Sequence, residues 1–589
     1  MPSRFAPSPS GVRRRTHAAV TALVLTLAVF ATTIHAATPA ATTPTRGRAD
    51  LLPLERPDDP LVIPAPSSVS HGTARPATVV TFGRFTHRQV NVYSGLNVVG
   101  DAANEPSIAV DPTNHNRMAI GWRQFDNVAS NFRQAGFAYT FDGGVTWTAG
   151  KIESGIFRSD PVLGFDDTGK FLYSSLMVDS FGNITAQIFP STNGGASWGS
   201  EVFAYGGDKQ WMAVDRTGGP GSQFAYQAWS TAGNNYLPDT FNRSTDDGAT
   251  FQSPTLIDNN QPPIWGTIDL DDNDSLYVGG MDPNTGLVLM ARSPNASNSL
   301  VNPPTFTVTS ADLGGFIMTG GPNPLGLDGQ VWIAVDHSVL RRGWIYVLAS
   351  VQTATDPLDV MFSRSTDGGK TFSTPVRVND DAGHNWQWFG TMSVSPNGRI
   401  DAVWNDSRLT GDSTRTALFY SSSFDGGFTW TANEQASPIW NCTLGYPNQA
   451  KIGDYYQMIS DNTGADLAWA NTFNNEEDVF YCRLTPNTTG VAPEANRPAH
   501  LRPGAPNPFA AATTIRFDVP ASGARVKLEI LDPAGHRVAT LGDGFFSGGS
   551  QTVRWNGTDA AGRPAPSGLY FCRYRAAGQS ETQKLMLIR

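Results

Sequence analysis

The sequence predicts an all-β protein assembled from a repeated four-stranded unit, and three observations carry that expectation. An eight-residue turn is written five times, at residues 140–147, 191–198, 244–251, 365–372 and 423–430. Pairs of short apolar strands joined by a polar turn recur between those copies. The composition, with 59 glycines, 41 prolines and 15 tryptophans in 589 residues, is that of a turn-rich chain with few apolar runs of helical period.

The chain opens with Arg13-Arg14-Arg15, an apolar run from Ala18 to Ala31, and Ile34-His35-Ala36-Ala37. A basic region, a short hydrophobic core and a small-residue cleavage site make residues 1–36 a secretory signal peptide. Thr21, Thr26, Thr32 and Thr33 dilute the run, which is short for a membrane-spanning helix. Residues 37–77 are rich in Ala, Thr and Pro without periodicity and read as a flexible arm. Thr78 to Tyr93 is β-branched and aromatic, material for one or two strands.

In each turn an Asp or Asn (Asp142, Asn193, Asp246, Asp367, Asp425) accepts hydrogen bonds from the backbone ahead of it, and a Gly two residues on takes positive φ. A Thr or Ser then resumes a strand, and the aromatic after it wedges between neighbours. The apolar pairs begin at Ser107, Val162, Trp211, Gly266, Trp332, Met392 and Tyr456, which makes seven hairpins. Successive turn acids lie 51, 53, 121 and 58 residues apart, so the wide gap hides a damaged copy. Arg292-Ser-Pro-Asn295 matches the start of the motif and Thr305-Phe306 its end. Periods of this length with several strands per unit predict a β-propeller over residues 78–485. The seventh unit lacks the turn, and its missing strand is expected from Thr78 to Tyr93, which closes the ring and removes free edges. Seven blades are the expectation, with six as the alternative.

The repeated turn resembles the Asp-box, or bacterial neuraminidase repeat, of the sialidase superfamily. Residues 486–506 form a Pro- and Ala-rich linker, and residues 507–589 alternate like the short strands of an immunoglobulin-like sandwich. Asn507-Pro-Phe509, Trp555-Asn-Gly557 with Gly562, Ser567-Gly-Leu-Tyr-Phe571 and a Lys-bearing last strand resemble the C-terminal sorting domain of type IX secretion cargo and the immunoglobulin-like domain of flagellar hook-capping proteins. That resemblance implies an address for secretion or surface attachment machinery rather than a catalytic unit.

Strand alternation places the Asp turns on one face of the ring and the residues before each inner strand on the other. The second face is expected to gather Glu105, Asp160, Lys209, Trp265, Asp328, Trp388 and Asp454, with Arg123, Asp126, Asp406 and Arg408 in its loops. Carboxylates, arginines and tryptophans converging there suit a glycan or another polar ligand. The sialidase resemblance implies a Tyr paired with a carboxylate as nucleophile, an Asp acid and three arginines. Ring closure makes Glu105 the neighbour of Asp454 and Tyr455, with Asp160 as the acid. Arg123, Lys209, Trp265, Trp388, Asp406 and Arg408 are the expected ligand contacts. The arginine signature of the first blade is absent, and Asn104-Glu-Pro-Ser107 stands in its place. Charged staples between blades are the competing reading of the same residues, and a non-catalytic adhesion or scaffold propeller is the competing function.

No cofactor or metal site is expected. Asp269, Asp271, Asp272 and Asp274 read as a hairpin turn rather than a calcium site, and no nucleic-acid surface is expected from a net charge of −10 without a basic stripe. Three cysteines exclude a disulfide scaffold, and the spacing of Cys442 and Cys482 in an exported chain suggests one bridge. The mature protein is expected to be secreted or held at the cell surface.

Overall fold

The computed structural model describes residues 74–179, 181–258, 262–486, 500–519, 524–546, 549–576 and 579–589. The expected signal peptide, nearly all of the arm and most of the linker lie outside these residues. Every regular element among them is a strand.

Residues 79–484 build seven antiparallel sheets, each starting from one of the hairpins read in the sequence. The first contains Ala102–Val110, Met118–Phe125, Gln134–Thr140 and Thr148–Lys151. The inner strands of the next five are Ser159–Phe165, Trp211–Val214, Ile268–Leu270, Trp332–Asp336 and Gln387–Val394. The seventh has Gln457–Ser460, Ala465–Asn471 and Asp478–Leu484, and is completed by Phe85–Gln89 and Val79–Phe82 from the start of the domain. His87, Arg88 and Gln89 pair with Cys482, Tyr481 and Phe480. Each inner strand touches the inner strand of the next sheet, and that of the seventh touches that of the first.

An inner strand has a partner on one side only, so its other backbone N–H groups need acceptors from elsewhere. Side chains of the preceding sheet supply them. Ser107 Oγ accepts from Leu163 N at 2.8 Å, Thr267 Oγ1 from Ile333 N at 2.9 Å, Asp269 Oδ2 from Val335 N at 2.7 Å and Ser393 Oγ from Ser460 N at 2.9 Å. Gln457 Oε1 accepts from Ile108 N at 2.8 Å, carrying the same stitch from the seventh sheet to the first.

The repeated turns share one hydrogen-bond pattern. Asp142 Oδ1 accepts from Thr146 N at 2.9 Å, its Oδ2 from Thr146 Oγ1 at 2.6 Å, and Thr140 Oγ1 accepts from Gly144 N at 3.2 Å. Asn193, Asp246, Asp367 and Asp425 likewise accept from the backbone N–H of Ser197, Thr250, Thr371 and Thr429, while the side-chain bond is reversed at Asn193, whose Nδ2 donates to Ser197 Oγ at 2.8 Å. The interrupted copy keeps the backbone bond across its longer loop, since Thr305 N donates to Asn295 Oδ1 at 2.9 Å. The glycine two residues after the Asp or Asn of each of the five turns lies against the preceding sheet, where a Cβ would overlap Tyr481, Ala119, Leu172, Met290 or Phe362. The following aromatic lands on the same neighbour, as Trp147 does on Tyr481 at 5.3 Å and Trp430 on Phe362 at 5.3 Å.

Beyond the linker two sheets share a second core. One contains His500–Ala505, Thr513–Val519 and Gly549–Trp555, the other Arg537–Phe546, Ala524–Leu531, Gly568–Ala576 and Gln579–Leu587. Trp555 packs on Phe509 and Tyr570, and Phe517 on Tyr574. Asn507 clamps the last strand, donating to Lys584 O and accepting from Met586 N, both at 2.8 Å. His500–Ala505 falls in the stretch read as linker, yet it pairs with Thr513–Val519, so the sandwich starts earlier than residue 507.

The expected Cys442–Cys482 bridge is not formed, and all three thiols are free and buried. Cys442 Sγ donates to Pro322 O at 3.4 Å, whereas Cys482 sits mid-strand between Ala465–Asn471 and Phe85–Gln89. Their separation in sequence gave no information on these different surroundings.

The glycine contacts yield a test. Gly427→Ala meets both a positive φ and the Phe362 ring, while Gly411→Ala meets a positive φ and open space. Urea denaturation should show a loss of about 2 kcal/mol or more for the first and about 1 kcal/mol for the second.

Candidate functional site

The sequence places a strained residue at the entrance of each inner strand. Glu105, Asp160, Lys209, Trp265 and Phe389 all have positive φ, between 44° and 58°, two residues before Ser107, Val162, Trp211, Thr267 and Thr391. In the fifth and seventh sheets Gly329 and Gly453 take up the same turn slightly earlier. The register slips there in the first and sixth sheets, between Asn104 and Ser107 and between Trp388 and Thr391. Such bulges redirect the side chains at strand starts.

Four of the expected site residues meet at one point of the ring. Asp454 Oδ2 lies 2.6 Å from both Lys209 Nζ and Lys451 Nζ, and its Oδ1 accepts from Leu327 N at 2.8 Å. Glu105 Oε1 lies 3.2 Å from Arg123 Nη2 and 3.4 Å from Lys451 Nζ. Asp160 accepts from Ser159 Oγ at 2.6 Å, and its backbone carbonyl from Gln210 Nε2 at 2.7 Å. The Tyr455 hydroxyl donates to Pro161 O at 2.8 Å. Sheets one, two, three and seven therefore converge on this network.

The network is closed to solvent. Glu105, Asp160, Asp454 and Tyr455 are 0, 1, 1 and 2% exposed, and Arg123, Lys209 and Lys451 are 0, 6 and 1% exposed. Burial pushes the Glu105 carboxyl up to about 8 against the pull of Arg123 and Lys451, with Asp454 and Asp160 adding to the rise. Burial acts on Asp454 in the same sense, but Lys209 and Lys451, a hydrogen bond from Glu105 and then Arg123 hold it well below the usual carboxylate range. Burial, then Glu105 and Asp160, raise the Tyr455 hydroxyl well above its ordinary value. A hydroxyl so placed keeps its proton on a backbone carbonyl.

The remaining expected contacts lie elsewhere. Trp265 and Trp388 are 4 and 0% exposed, Trp388 packing edge-on against Phe389 at 4.7 Å. Asp406 accepts from Trp404 Nε1 at 2.7 Å and from Arg408 Nε at 2.9 Å, and Arg408 reaches Asp380 at 2.6 Å. Asp126 pairs with Lys151 at 2.5 Å. Asp328 is buried, and that burial pushes its carboxyl up to about 8. Asp271 caps a turn, accepting from Asn273 N and Ser275 N at 2.9 Å, while Asp272 pairs with His337 and Arg342. The sequence reading missed Lys451, whose spacing of three from Asp454 was the available signal. It also missed Asn323, which bridges Ile452 N at 2.9 Å and Gly453 O at 2.7 Å from a distant loop. His115, Asp461 and Asp466 cluster closely enough to hold a metal ion, but Arg483 already pairs with both carboxylates at 2.7 and 2.8 Å.

Residues 508–579 match the FlgD Ig-like domain family. No curated protein sequence matches the chain. Among solved structures, it is similar to a protein of unknown function from Dyadobacter fermentans DSM 18053 at 12% identity and a TM-score of 0.37, over 68% of this chain and 99% of that one. PorZ, a surface component of the type-IX secretion system of Porphyromonas gingivalis, aligns at 12% identity and 0.35 over 85% of this chain and 60% of its own. The Trypanosoma rangeli sialidase aligns at 11% and 0.32, over 84% and 86%.

The raised Glu105 carboxyl sets a pH dependence. The folded protein holds a proton that the unfolded chain releases in the ordinary carboxylate range, so this stabilisation is complete in acid, falls as pH rises and is gone above about 8. Melting temperatures from pH 5 to pH 9 should fall less steeply in Glu105→Gln than in the native protein.

Proposed function

We propose that the chain is an exported seven-bladed Asp-box propeller acting as a non-hydrolytic binding or scaffold module at the cell surface, with the C-terminal sandwich as its delivery address. The seven sheets in cyclic contact and the shared turn pattern support the blade count and the Asp-box reading. The observation that carries the functional reading is the sealed state of the Glu105, Asp160, Asp454 and Tyr455 network. A glycosidase must bring its nucleophile and acid to the anomeric centre of the sugar. Here both carboxylate partners of Tyr455 are enclosed, and three cations face three acids as a staple joining the first, second, third and seventh blades. No helix among the described residues is long and apolar enough to cross a membrane. In this reading delivery to the surface is the task of the expected signal peptide and of the sandwich.

A second reading, sialidase-like hydrolysis of cell-surface glycans, draws on one observation: Glu105 and Asp160 both act on Tyr455, the neighbours such a nucleophile requires. The two readings separate by experiment. As a staple, the network makes Asp454→Asn and Lys451→Met cost about 3 kcal/mol or more, because each leaves a buried charge without its partner. Fluorogenic sialosides and a glycoside panel should then show no turnover with the native protein. Turnover that Tyr455→Phe abolishes at an unchanged melting temperature would establish hydrolysis instead.

The address reading makes its own prediction. Removing residues 500–589 should leave a propeller with its native near-ultraviolet spectrum while abolishing surface display in the native host, and continued display of the truncated chain would refute it.

A further inference from the structure

The ring encloses a cavity of about 650 Å³ on its axis, lined by inner strands of the second to seventh sheets. That volume is within the range of sites that hold small molecules. Position along the strands gives depth. At the strand starts, next to the sealed network, Trp211 meets Trp332 at 5.3 Å and Tyr455 at 5.4 Å, and the three rings close that end. The next layer is apolar and adaptable, with Met212, Met392 and Met458 beside Ile268 and Ile333. At the strand ends Arg216, Asp272, His337 and Arg342 form the rim, and the half-exposed His337 and Arg342 side chains mark it as open to solvent.

The rim charges are not all paired. His337 and Arg342 both bind Asp272, at 2.7 and 3.1 Å. Asp269 gives its two oxygens to Leu270 N at 2.9 Å and Val335 N at 2.7 Å. Arg216 lies over the Phe165 ring at 4.3 Å; Asp269, Asp215 and Asp167 act on its charge, but it makes no direct salt bridge to any described residue. Its guanidinium fork, stacked on Phe165 at the solvent-exposed rim, has no carboxylate in direct contact, so a ligand in the cavity can meet its donors in place of water.

We propose that this cavity binds a small amphipathic organic anion, with its aromatic or aliphatic body among the methionines and tryptophans and its carboxylate, sulfonate or phosphate on Arg216. The site opens at the opposite end of the ring axis from the Glu105 network, with the Trp211, Trp332 and Tyr455 rings between them, and stands whether or not that network is catalytic.

The test uses the purified full chain and two probes of similar shape, anilinonaphthalene sulfonate and neutral N-phenylnaphthylamine, followed by fluorescence. The native protein should bind the anion saturably at one site. Ala213→Trp and Ala334→Phe fill the cavity from its wall and should abolish binding of both probes, with the melting temperature checking that each variant is folded. Arg216→Gln should weaken the sulfonate about tenfold and leave the neutral probe unchanged, as expected for loss of a charge-assisted hydrogen bond. Anion binding that survives both filling variants, or that is absent from the native protein, overturns the site. Equal sulfonate affinity in Arg216→Gln and the native protein overturns the assignment of the anionic end. Alkyl carboxylate, aryl carboxylate and phosphate ester competitors then distinguish the sources of the anion.

Discussion

The exposed edge of each inner strand is the constraint on which the ring depends. A lone four-stranded sheet leaves a row of N–H groups on its first strand and an apolar face on either side. Neither is stable in water. Here every sheet answers the need of the next, through Ser107, Thr267, Asp269, Ser393 and Gln457 on the inner rim and through turn glycines and aromatics further out. Because each sheet is both provider and recipient, the scheme is satisfied only when the last sheet meets the first. Gln457 reaching Ile108 and Phe85–Gln89 pairing with Asp478–Leu484 are that closure.

Much of this was legible in the residues because it is local chemistry repeated. The Asp142-type turn carries its hydrogen-bond pattern within eight residues, so each copy could be read alone, and the broken copy at Asn295 was recognisable by its two ends. The closing segment was legible by subtraction, since the seventh unit lacked a fourth strand and Thr78 to Tyr93 was strand material belonging to none of the seven apolar pairs; it brings two strands, Val79–Phe82 and Phe85–Gln89, rather than one. The boundary of the sandwich was less so. His500-Leu-Arg-Pro-Gly-Ala505 has the composition of a linker and becomes a strand through its pairing with Thr513–Val519.

The site was legible in position and not in character. Strand direction brings Glu105, Asp160, Asp454 and Tyr455 together, but no pattern reports whether a polar cluster faces water or is sealed. That is decided by Lys451 and by the loop carrying Asn323 and Leu327, far away in the chain. The axial cavity was invisible for the opposite reason. Trp211, Met212, Met392 and Met458 sit at ordinary core positions, and only the width of the ring leaves space among them. The thiols of Cys442 and Cys482 teach the same lesson, since sequence separation carries no information on direction.

The pairing of Phe85–Gln89 with Asp478–Leu484 also sets an order of events during folding. Phe85–Gln89 pairs at once with Val79–Phe82, but its other edge has no partner until about four hundred residues have followed it. Until then the growing arc has an unpaired edge at each end. A chain folding segment by segment is thus kept open until its final sheet has formed. Long-range closure of this kind is slow compared with formation of a single hairpin. Late closure is built into the way the circle is joined.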